Sequence, residues 1–61
     1  MRDWLINKRK EKKLSQEGVA FYAKVSRQYI SMIETGKRDP SVKVAKLIGD
    51  RLSFDWKMFF R

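Results

Sequence analysis

Apolar residues recur along this 61-residue chain in short bursts at helical spacing, and no strand is read from them. The first segment, Arg2 to about Lys13, sets Trp4 and Leu5 with the stem of Arg9 along a narrow stripe. A second helix is predicted from Gln16 to about Ala23. It has Ser15 as N-cap and Val19, Ala20 and Ala23 on one side, small enough to let another helix come close. A third, over about residues 27–35, turns Ile30 and Ile33 inward and Arg27, Gln28, Ser31 and Met32 outward. Ser26 is its N-cap, and Gly36 follows its end as a residue free to take positive φ.

Asp39 or Ser41 caps a fourth helix whose entry is fixed by Pro40 and whose apolar stripe is Val42, Ala45, Ile48, Gly49 and Leu52. Asp55 caps a last short helix, with Trp56, Phe59 and Phe60 closing the bottom of the core. The pattern predicts an all-α fold, a compact bundle of about five short helices forming a single domain over residues 1–61.

Composition narrows what such a bundle does. Hydrophobic residues at 43% and aromatics at 13% suffice for a small core. A chain this short buries only about 60% of its unfolded surface, so its stability margin is thin. A formal net charge of +8 attracts polyanions by releasing their counterions, which makes nucleic acid the first candidate partner. The charge alone is equally compatible with plain solubility. With no Cys and no His, disulfides, thiol chemistry, Ser-His-Asp triads and the usual zinc sites are excluded. The expectation is therefore no catalytic residues, no metal and no cofactor. No window approaches the ~20 apolar residues of a membrane span, and the N-terminus lacks a secretory apolar region, so a cytoplasmic setting is expected.

The stretches LSQE with Ala20, VSRQYISMIETGKR, DPS and the closing LSFDWKMFF, in that order and spacing, resemble the lambda-repressor and Cro-like helix-turn-helix family, also called the xenobiotic-response-element type. The likeness covers nearly the whole chain, with the helix-turn-helix proper at about residues 15–35. It implies a five-helix domain that binds double-stranded DNA, usually as a homodimer on a palindromic operator, and represses or activates transcription, with a repressor the expected form. Gln16 matches the family position that bonds a phosphate or an outer base. Arg27 and Gln28 match the opening of the recognition helix, and Met32 matches a further base-contacting position.

The chemistry of those side chains agrees. Arg bridges O6 and N7 of guanine, Gln bridges N6 and N7 of adenine, and Met offers an apolar surface to a thymine methyl. Base contact and simple phosphate or solvent contact both remain open for Arg27, Gln28 and Met32. Ser26 and Ser31 lie beside them, and Tyr29 either reaches the DNA backbone or packs on the second helix. Lys37 and Arg38 fall where the family's loop runs along phosphates, with Lys24 as a further cation. The run Lys8, Arg9, Lys10, Lys12 and Lys13 is read as mostly solvated. The resemblance also implies a buried ion pair between Arg9 and Glu34.

Some residues depart from the family pattern. Lys13 and Lys24 stand where Gly commonly follows a helix, which implies either left-handed strain or different turns. Gly18 replaces an acidic or polar residue, and Phe21 and Tyr22 occupy a face normally given to solvent. They either fill a shallow core or mark a contact surface. A second reading is thus a protein-interaction module, such as an antitoxin or small adaptor, using Phe21, Tyr22, Val44, Leu47 and Met58. A third, a cationic segment lying on membranes, is disfavoured by the narrow apolar face of the first helix. The short chain leaves no space for a ligand-sensing domain, so no small-molecule ligand is expected. Small regulators of this kind resemble those of phages and mobile elements.

Overall fold

The computed structural model describes residues 1–61. Four α-helices, α1 (Asp3–Glu11), α2 (Gln16–Ala23), α3 (Arg27–Thr35) and α4 (Val42–Leu52), are followed by a 3-10 helix at Trp56–Phe60. No strand is present.

Side-chain oxygens start the elements. Ser15 Oγ accepts from the Gly18 N–H at 3.0 Å, Ser26 Oγ from Tyr29 at 3.1 Å and Ser41 Oγ from Val44 at 3.2 Å. Each satisfies one of the N–H groups that a helix leaves unpaired at its first turn. Asp55 does the same for the 3-10 helix, accepting from Lys57 N–H at 3.0 Å. Of the two caps expected for α4, Ser41 serves and Asp39 does not. Ser41 stands directly before the helix, whereas the Asp39 carboxylate is held by Arg2.

The four α-helices also stop alike. An N–H beyond each end reaches five residues back: Leu14 to Arg9 O, Val25 to Ala20 O, Lys37 to Met32 O and Phe54 to Gly49 O, at 3.2, 3.0, 2.9 and 3.0 Å. This bond requires a left-handed residue just before it. Those residues are Lys13, Lys24, Gly36 and Ser53, with φ of 57°, 60°, 81° and 61°. The family's turns are therefore kept at Lys13 and Lys24, at the cost of holding side-chain-bearing residues in glycine's conformation. The same turn ends α1 at Glu11, short of the approximate end at Lys13 expected from helical spacing.

The core gathers Leu5 from α1, Val19, Ala20 and Ala23 from α2, Ile30 and Ile33 from α3, Ala45, Ile48 and Leu52 from α4, and Phe59. Alanines on α2 and α4 bring these helices close. Trp4 sits edge-on to Phe54 at 5.1 Å between ring centroids and 5.2 Å from Phe59, fastening α1 to the C-terminal segment.

Two expected core residues lie outside. Val42, the first residue of α4, stands at the edge of the bundle and is 52% exposed. Phe60 is 48% exposed, because a 3-10 helix turns three residues per cycle: burying Phe59 rotates Phe60 away by about 120°. Val44 and Leu47, assigned above to a contact surface, instead pack against the core, and Met58 is half-buried.

Candidate nucleic-acid interface

α3 carries its buried stripe inward and leaves Arg27 and Gln28 exposed at its first turn, with Ser31 and Met32 half-buried one turn on. The Ser26 oxygen accepts from Tyr29 N–H as the N-cap, and its hydroxyl proton is left to donate to a ligand. Lys37 and Arg38 are exposed on the loop beyond α3, as is Lys24 between α2 and α3.

Behind this edge runs a polar network that joins three helices. Glu34, 3% exposed, receives Arg9 Nε on Oε2 at 2.7 Å and Arg9 Nη2 on Oε1 at 3.3 Å. A third Arg9 nitrogen donates to Leu14 O at 2.9 Å, tying α1 to the turn before α2. Gln16 Nε2 also donates to Glu34 Oε1, at 2.9 Å, and Gln16 Oε1 accepts from Arg27 Nη1 at 3.2 Å. The buried carboxylate is thus fully partnered, and the network surfaces at Arg27.

Gln16 and Arg27, read from the sequence as separate contacts, are therefore coupled. Gln16 commits its oxygen and one amide proton inside the molecule and holds the Arg27 guanidinium by one of its donors. The remaining donors of Arg27 stay free.

The loop between α3 and α4 has its own fixings. The Arg38 guanidinium lies over the Tyr29 ring, 5.0 Å from its centroid, and the Tyr29 hydroxyl accepts from Ser41 N–H at 3.4 Å. Tyr29 therefore faces this loop. Arg2, which sequence reasoning did not single out, reaches the same loop from the start of α1. Its partners lie 31 to 37 residues away, so no local pattern could reveal it.

Elsewhere on the surface, Phe21 projects from α2 at 87% exposure, while the neighbouring Tyr22 hydroxyl donates to the Asp50 carboxylate of α4. Neither fills the core.

Comparison with known proteins agrees with this architecture. The profile of the helix-turn-helix family matches residues 5–55. The chain is 53% identical over 60 residues to an uncharacterized HTH-type transcriptional regulator, YqaF, of Bacillus subtilis (strain 168), covering 98% of this chain and 79% of that protein. No solved structure gives a significant match. The left-handed turns, the polar network under α3 and the match over most of its length agree: the chain belongs to the lambda-repressor/Cro-like helix-turn-helix family.

Proposed function

We propose that this protein is a sequence-specific double-stranded DNA-binding regulator of transcription, acting as a repressor in the cytoplasm, with α3 seated in the major groove. The observation that carries the reading is the exposed first turn of α3, where Arg27 and Gln28 are presented by a helix braced from behind through Glu34. Gln28 reads adenine, Arg27 reads guanine or an adjacent phosphate, and Met32 meets a thymine methyl. Ser26 and Ser31 donate to the DNA backbone beside them. Gln16 contributes its remaining amide proton, and Lys37 and Arg38 neutralise phosphates. The name given to the Bacillus subtilis relative, an HTH-type transcriptional regulator, supports the same reading.

The protein works as a homodimer on a palindromic operator. A second copy fits the patch where Lys46 sits over the Trp56 ring at 5.2 Å and Trp56 meets the exposed Phe60 edge-on at 6.0 Å, with Val42 one turn before Lys46. Selection from random duplexes at two salt concentrations tests the whole proposal. The expected product is a palindrome with half-sites about 34–36 Å apart, and Gln28→Ala relaxes preference at one base pair by ~1–3 kcal/mol. A flat selection profile would overturn it.

The exposure of Phe21 favours a second reading, in which α2 docks a partner protein as an antitoxin or adaptor does. Under that reading Phe21→Ser abolishes partner binding and leaves DNA selection unchanged.

A further inference from the structure

Arg2 ties the start of α1 both to the end of α3 and to the loop that follows it. Its backbone N–H donates to Glu34 O at 2.7 Å. Nη1 donates to Ile33 O at 2.7 Å and to Arg38 O at 3.1 Å, and Nη2 pairs with the Asp39 carboxylate. The guanidinium lies 5.6 Å from the centroid of the Phe59 ring, and the side chain is only 15% exposed.

These contacts satisfy carbonyls at the C-terminus of a helix, place a positive charge at the negative end of its dipole, and hold the backbone of the loop that follows. Arg38 is consequently fastened twice. Arg2 fixes its carbonyl, and the Tyr29 ring supports its guanidinium at 5.0 Å. A cation already held in one rotamer loses less entropy when it meets a phosphate than a free side chain does.

We infer that Arg2 is a positioning residue for DNA binding: it braces the loop of residues 36–41 so that Arg38 is presented, pre-ordered on Tyr29, to a phosphate. The inference rests on the DNA-binding reading above and adds to it a residue outside the helix-turn-helix proper. A lysine at this position keeps the charge but, as a point donor on a flexible stem, cannot span Ile33 O, Arg38 O and the Asp39 carboxylate together.

The test compares wild type, Arg2→Lys, Arg38→Ala and the double variant on a duplex that the wild-type chain selects from a random pool, measuring how log K falls with log salt. Although its net charge is unchanged, Arg2→Lys is expected to lose about 0.9 of slope, the amount carried by one phosphate contact. Arg38→Ala loses the same, and the double variant loses no more. A slope unchanged in Arg2→Lys, or two losses that add, overturns the inference.

A second arm needs no DNA. The amides of Lys37 and Arg38, which bond Met32 O at 2.9 and 3.3 Å, exchange hydrogen on the order of ten-fold faster in Arg2→Lys while the amides of α4 do not change. Unchanged exchange in the loop refutes the bracing. If wild type selects no duplex, the DNA-binding reading fails by itself, and the exchange arm still decides whether Arg2 orders the loop. Should Arg2→Lys unfold, Asp39→Asn removes the exposed anchor alone and gives the same signature at smaller amplitude.

Discussion

Arg9 Nε stands 2.7 Å from Glu34 Oε2, and this pair couples the first helix to the third where the side chains of both are at least 86% buried. The same carboxylate orients Gln16 and, through it, Arg27. Removing one partner of such a pair leaves the other charge without compensation, typically at ~3–5 kcal/mol. A domain of this length has only about 3–9 kcal/mol in total. Glu34→Gln is therefore expected to lower the melting temperature sharply and to weaken DNA binding at temperatures where the variant is still folded. Calorimetry and a DNA titration check it, and a variant indistinguishable from wild type in both would show the pair to be dispensable.

Gly49 allows the C-terminal segment to cross α4. A Cβ there would meet Phe54 O at 2.8 Å and Trp56 Cα at 3.2 Å, both of them backbone atoms with little freedom to give way. Gly49→Ala should thus destabilise by about 1–3 kcal/mol despite alanine's better helix propensity. Denaturant titration measures this. A gain in stability would mean that the 3-10 helix shifts freely.

Lys24 pays for a left-handed φ of 60° that glycine would adopt without strain. Relief of that strain outweighs glycine's extra chain entropy, and Lys24→Gly is expected to stabilise by roughly 0.5 kcal/mol. Gly36→Ala, at φ 81°, should move stability the other way. Thermal melts of the two variants against wild type give the signs directly.

The Tyr22 hydroxyl donates to Asp50, and this hydrogen bond, followed by desolvation and the Asp50 charge, raises its pKa above the ordinary 10.0. The folded state thus favours the neutral phenol. The resulting stability is fully present below pH 10.0 and is lost as pH rises through the higher folded value. Tyr22→Phe should therefore have a shallower decline of melting temperature on the alkaline side than wild type. Identical alkaline profiles would show that the bond does not persist in solution.

Much of the helical outline was legible because its signals are local. The serines at 15, 26 and 41 each cap the residue three positions on, and Gly36 announces its turn by its own chemistry. The left-handed turns at Lys13 and Lys24 are marked only by the family resemblance, which leaves strain and a different turn both open, since lysine itself has no preference for that conformation and adopts it where a five-residue-back hydrogen bond demands it. Phe60 departs from the core position its spacing suggests because spacing cannot separate an α-helical last turn from a 3-10 one, and the difference rotates one aromatic ring out of the core.

The candidate site divides in the same way. That α3 exposes Arg27 and Gln28 and buries Ile30 and Ile33 follows from helical period alone, because successive side chains point about 100° apart whatever surrounds them. The coupling of Gln16 to Arg27, the stacking of Arg38 on Tyr29 and the reach of Arg2 to Asp39 were decided only when the helices packed. Hydrogen bonds between residues distant along the chain depend on where whole elements come to rest, and that is settled by the summed burial of the core rather than by any short run of residues.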